Sequence, residues 1–252
     1  AGLESTLDGY LRGNQGNPSS LILWNYLLYG TSPPGLDVRL SIDLDLQKIA
    51  DKLMGIHTGA LILINAQSGE ILSMSSHPTY DQNLLEDIGY QLQTDPASPL
   101  LNRATQGIYP LGSLLLPINE QFGIKDNSNV GALVTYFELL GFYSMPKLRL
   151  PVGVPSKFGE IEDIQVNPLQ VVLVFSALNN KGTIPAPRIA LAVHTPTQGW
   201  VILPAASEPR NILRENEAEK LAESLQVLDQ PYWQYSAEAT SKEGRTYTWL
   251  LM

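Results

Sequence analysis

The sequence predicts an α/β (α+β) fold: an antiparallel sheet of about five strands flanked by helices. Three observations predict it. Apolar runs meet across short Gly- or Pro-bearing turns, as hairpins do. Capped segments with helical spacing stand between those runs. Their order is helix, hairpin, helices, then hairpin and helix, which implies helices packed on a mostly antiparallel sheet. A chain of 252 residues, 44% apolar, can bury roughly three quarters of its unfolded surface without staples.

The elements follow in chain order. Residues 1–35 are rich in Gly, Asn, Ser and Pro and read as an irregular N-terminal linker region, with the folded domain at 36–252. In "SIDLDLQKIADKLMG", Asp43 caps a helix whose apolar face is Leu46, Ile49, Ala50 and Leu53, and Gly55 stops it. "GALILINAQSGEILSMSS" is a hairpin turning at Ala66–Gly69. Its nearly continuous apolar strands predict a sheet covered on both faces. "NPLQVVLVFSALNNKG" carries Asn167 as N-cap, Pro168 in the first turn, Gln170 completing a capping box and Gly182 at the far end. It is apolar almost all round, so it is a buried helix. "PRIALAVHTPTQGWVILPA" turns near Pro196 to Gly199. "NEAEKLAESLQVL" is an amphipathic helix capped by Asn216, with Ala218, Leu221, Ala222, Leu225 and Leu228 on one face. A final hairpin turns at Glu243-Gly244-Arg245.

Composition excludes several function classes. A net charge of −9 argues against nucleic acid, whose phosphates need clustered Lys and Arg. No apolar run approaches the roughly 20 residues of a membrane span. There is no cysteine, so thiol chemistry is out. His57, His77 and His194 are scattered and give no metal-ligand spacing; no metal and no cofactor is implied. Trp200, Trp233 and Trp249 read as core packing. "QPYWQY", at 230–235, is the aromatic stretch that a binding surface would use.

The segment "NRATQGIYPLGSLLLPI" holds Pro-x-Gly-Ser before an apolar run. Together with "GLESTLDGYLRGNQG", "PPGLDVRLSIDLDLQ" and "GALILINAQSGEILSMSSHPTYDQN" upstream, and "VNPLQVVLVFSALNNKGTIPAPRI" and "ATSKEGRTYTW" downstream, it resembles the transpeptidase domain of penicillin-binding proteins, the cell-wall cross-linking enzymes. That family's chemistry rests on Ser-x-x-Lys, Ser-x-Asn and Lys-Thr-Gly. In the first, serine and lysine stand one helical turn apart, and the neutral amine takes the serine proton.

Each motif is altered here. Ser113 takes the nucleophile position and Leu116 the lysine position. An alkyl chain accepts no proton, and a serine without a base is a weak nucleophile. Leu114, Leu115 and Leu116 read as a helix start packed in a core. "NSN" at 127–129 stands for the second motif, with Asn129 retaining its asparagine. It follows Ser113 by about a dozen residues where the family has several times more, which implies a reduced helical lobe. "KEG" stands for the third: Lys242 and Gly244 remain, and Glu243 would repel a substrate carboxylate. Lys242 replaces the lost base only if burial favours its neutral amine.

The resemblance implies a degenerate transpeptidase-like domain, catalytically inactive, acting as a scaffold or interaction module in the cell envelope, on the extracytoplasmic face of the membrane. Its implied partners are other cell-envelope proteins or peptidoglycan peptide. Two alternatives stand beside it. One is an active D,D-transpeptidase or penicillin binder using Ser113 with a substituted base. The other is peptide recognition without turnover, through Asn129 and the Lys242 strand. The family pattern runs on past "TYTWLLM" with a further strand and helix, so the resemblance also implies a domain truncated at its C-terminal end, with an open sheet edge.

Overall fold

The structure, a computed structural model, describes residues 2–121, 130–157 and 164–252. The chain opens with three helices, α1 (Leu3–Thr6), α2 (Asp8–Leu11) and α3 (Ser19–Tyr29), where an irregular segment was expected. Two features hid them. The flanks are rich in Gly, Asn and Pro, and α3 is apolar on every side, so no helical period marks it. Leu7 and Leu36 are buried together with Ala190, Val193 and Leu203, which fastens this lead-in to the strands beyond it.

Strand β1 (Val38–Leu40) and helix α4 (Leu44–Met54) come next, then the hairpin β2 (Gly59–Ile64) and β3 (Ile71–His77). Asp43 caps α4 by accepting from the Asp45 and Leu46 amides at 2.9 and 3.1 Å. Gln47 fastens α4 to β3: its Oε1 accepts from the Met74 amide at 2.8 Å and the Ser73 hydroxyl at 3.1 Å. Its Nε2 donates to the Met74 carbonyl. Buried His77 sits in the same network, between Asp51 and the Gly55 carbonyl, so this histidine is structural. The apolar face expected on α4 is only partly covered. Ala50 is buried, but Ile49 and Leu53 are exposed, as are Ile56 and, on β2, Leu63. β3 alternates buried and half-buried positions, so the hairpin is not sealed on both sides. Among the described residues, nothing packs on this face.

The remaining elements are α5 (Leu85–Thr94), β4 (Tyr109–Pro110), α6 (Leu116–Gln121), α7 (Val130–Leu140), β5 (Gln165–Val166), α8 (Pro168–Ser176), β6 (Thr183–Ile184), β7 (Ala190–Thr195), β8 (Gly199–Ile202), β9 (Arg210–Asn211), α9 (Glu215–Ser224), β10 (Tyr235–Thr240) and β11 (Thr246–Leu251). All the ladders between these strands are antiparallel. They do not join into one five-stranded sheet. One sheet has the order β1-β7-β8; β2-β3, β10-β11, β4-β5 and β6-β9 are separate pairs. Between Ser113 and β5, the described helices are α6 and α7.

Helix α8 is the centre of the core. The Asn167–Gln170 capping box forms as its sequence dictates. Gln170 is itself buried, and its Nε2 donates to the carbonyls of Gly141, Phe142 and Ser144. Deleting that amide would orphan the buried Phe142 carbonyl at about 1–3 kcal/mol, while the Gly141 carbonyl keeps the Ser144 amide and hydroxyl. Phe175, buried, lies against the rings of Trp233 and Tyr235 at centroid distances of 6.3 and 6.4 Å, so α8 and β10 share one wall of the core. Helix α9 begins two residues earlier than expected. Arg214 is its N-cap residue, whose amide donates to the Glu217 carboxylate at 3.0 Å, which leaves Asn216 inside the first turn. Leu228 falls beyond the helix and is exposed.

Candidate functional site

Ser113 lies on the turn between β4 and α6. Leu114 and Leu115 are buried behind it, and Ser113 itself faces outward. The Leu116 amide donates to the Ser113 carbonyl at 3.1 Å. This tight 113–116 turn fans the three leucines apart, and Leu116 emerges 55% exposed. The expectation of three leucines sharing a core therefore holds for two of them. The residue in the lysine position points to solvent.

The strand pair β10-β11 clamps this turn. The Tyr235 hydroxyl donates to the Ser113 carbonyl at 2.9 Å, and the Trp249 indole Nε1 donates to the Pro110 carbonyl at 3.1 Å. Tyr109 packs on Tyr247 at 5.1 Å and edge-on against Trp249 at 6.2 Å. Gly112 takes a left-handed φ of 56°. A Cβ there would fall 2.7 Å from the Ala239 Cα and closer still to the Glu238 carbonyl. Glycine is required twice at this point, for its backbone angle and for the strand's approach.

These contacts correct the strand register read from the sequence. The segment beside the serine is Glu238–Ala239, within β10, not Lys242–Gly244. The latter form the hairpin turn: the Ser241 amide bonds the Arg245 carbonyl, the Gly244 amide bonds the Ser241 carbonyl, and Gly244 takes a φ of 78°. Lys242 is exposed at that tip, which removes the burial its substitute role needs. The letters K-x-G suggested a motif; the turn chemistry of Gly244 accounts for them. Asn129 lies outside the described residues. Tyr235, Gly112 and Ala239 went unnoticed in the sequence as site residues, although a glycine directly before the serine was a usable signal.

Among the described residues, the Ser113 hydroxyl forms no hydrogen bond to an amine, a carboxylate or an imidazole. Tyr235 is no substitute. Burial, and secondarily the charge of Glu120, push its phenol above the usual range, so it stays a neutral donor to the backbone. Burial likewise raises Tyr109, with Arg103 opposing. No group of three or more His, Asp or Glu among the described residues is placed to hold a metal ion. Of the tryptophans, Trp233 and Trp249 are core residues, while Trp200 lies under the Arg39 guanidinium, 4.2 Å from its centroid. In "QPYWQY", Trp233 is buried and donates to Asn179. A cleft of about 340 Å³ opens elsewhere, between Met145, Lys147, Gln170 and Arg210, and includes no residue of the serine turn.

Residues 59–128 match the family model for the penicillin binding protein transpeptidase domain. The chain is 39% identical over 92 residues to peptidoglycan D,D-transpeptidase MrdA of Escherichia coli K12, a match covering 34% of this chain and 14% of that protein. Its fold matches penicillin-binding protein A from M. tuberculosis, solved as an imipenem acyl-enzyme complex. The TM-score is 0.80 at 19% identity, over 98% of this chain and 78% of that one. It also matches PBP2 of Helicobacter pylori, solved in complex with MreC, with a TM-score of 0.63 at 18% identity over 84% of this chain and 56% of that one. At such identities the structural matches show the fold alone. The chain therefore has the fold of a penicillin-binding protein transpeptidase domain across its length, and over residues 59–128 its sequence matches the model of that family.

Proposed function

We propose that this domain is a catalytically silent transpeptidase relative, serving as a scaffold or interaction module for cell-wall assembly on the extracytoplasmic face of the membrane. One observation carries the reading: the position one turn after Ser113 holds an exposed leucine, and no described amine, carboxylate or imidazole is hydrogen-bonded to the serine hydroxyl. General-base assistance is worth roughly 10²–10⁴-fold, and losing a member of a catalytic unit can cost more. What remains is a rigid fold with Ser113 held by its backbone. The H. pylori neighbour, solved in complex with MreC, supports a protein partner for the fold as a scaffold.

A second reading is peptide binding without turnover. The exposed Ser113 lies beside β10, which pairs with β11 on one edge and with no other strand among the described residues. An open edge of this kind can accept an extended peptide as an added strand.

A peptide ending in D-Ala-D-Ala separates the readings. The scaffold reading expects neither released D-alanine nor saturable binding at millimolar peptide. Saturable binding without release favours the second reading. Release of D-alanine, lost in Ser113→Ala, would overturn both.

A further inference from the structure

Helix α3, "SSLILWNYLLY", buries none of its residues. Leu23, Trp24, Leu27, Leu28 and Tyr29 are each more than half exposed, Tyr29 at 71%. From Gly13 to Leu36 the chain carries no charged residue, although 16% of the whole sequence is charged. The helix is closed off by Gly30 in a left-handed conformation. A few polar contacts at its base, Tyr26 and Ser32 with Asn14, tie it to the preceding loop. The polar side chain inside its apolar run, Asn25, donates to the Leu21 carbonyl one turn back.

The distribution of apolar side chains identifies the occupant. A helix that docks on protein shows an apolar stripe and a polar back. Here successive 100° steps place Leu, Ile, Trp or Tyr on every side, so covering one face leaves the others wet. A second copy does not solve this. Eleven residues make a rod about 16 Å long, and two such rods in contact fall well short of the 1,200–2,000 Å² of a stable interface. A medium that surrounds the rod does solve it. Its length reaches about halfway through a hydrocarbon layer of roughly 30 Å, and among the described residues no helix is long and apolar enough to cross one. Trp24, Tyr26 and Tyr29 suit the headgroup boundary.

We infer that α3 is a shallow membrane-insertion element, which seats the domain on a lipid surface by burying its apolar rod in one leaflet. The protein's net charge of −9 opposes anionic headgroups, so the attraction is apolar. Binding to phosphatidylcholine vesicles should therefore survive high salt and gain nothing from added phosphatidylglycerol. This inference does not depend on the state of Ser113.

The test is flotation of the full chain with phosphatidylcholine vesicles, beside a Leu23→Glu/Leu27→Glu variant. Both positions are exposed, so the variant should melt as the parent does. A charged side chain is strongly disfavoured in hydrocarbon, so the vesicle-bound fraction should fall about tenfold or more. Trp24→Phe should also remove the blue shift of tryptophan emission seen on adding vesicles. Equal flotation of parent and variant overturns the inference. So does a parent that stays in solution, whether as monomer or as a dimer that the variant abolishes.

Discussion

Leu116→Lys is expected to give this chain a slow, pH-dependent labelling by penicillin that the parent lacks. The 113–116 turn already closes through the Leu116 amide, and the Leu116 side chain is exposed, so lysine enters without disturbing the core. It restores a proton acceptor one turn from the Ser113 hydroxyl. The gain should lie within the 10²–10⁴-fold range of general-base assistance, equivalent to about 3–5 kcal/mol of barrier. Only the neutral amine works as a base. An exposed lysine has an ordinary value near 10.4, so the labelling rate should climb from pH 7 towards pH 10. Time-resolved mass spectrometry with benzylpenicillin reads this directly. A variant that stays unlabelled at every pH would show that the missing amine is not what silences Ser113.

Gly112→Ala should be among the most destabilising single changes in the domain. A left-handed angle costs an L-residue about 1–2 kcal/mol. The added Cβ also meets the β10 backbone at Ala239 and Glu238, and overpacking costs about 1–3 kcal/mol more. The denaturation midpoint should fall by the equivalent of about 2–5 kcal/mol with an unchanged slope. Gly244→Ala is the internal control. Its φ is also positive, but nothing lies within 4 Å of the new Cβ, so it should cost the angle alone, about 1–2 kcal/mol. Equal costs at the two positions would mean that β10 does not press on the serine turn as described.

What the sequence revealed follows from how local the physics is. The Asp43 cap, the Asn167–Gln170 box and the hairpin turns depend on neighbours within four residues, and each forms as its letters predict. Helix α3 was illegible because helices are recognised by the contrast between two faces, and it has none. The fate of Leu116 was hidden for another reason: three leucines in a row look like one core patch until a tight turn splays them. The strand beside Ser113 was misplaced because its neighbour is chosen by a tertiary contact, the approach of Ala239 to Gly112, which no spacing in the sequence encodes. The exposed face of α4 shows the same limit, since amphipathicity marks a surface able to be buried without naming what buries it.

The account stands on the Ser113 hydroxyl having no hydrogen-bonded base among the described residues. Intact-mass analysis of the unmodified chain after long incubation with benzylpenicillin at neutral pH should return the starting mass. A gain of one penicillin per chain, present in the parent and absent from Ser113→Ala, would contradict it.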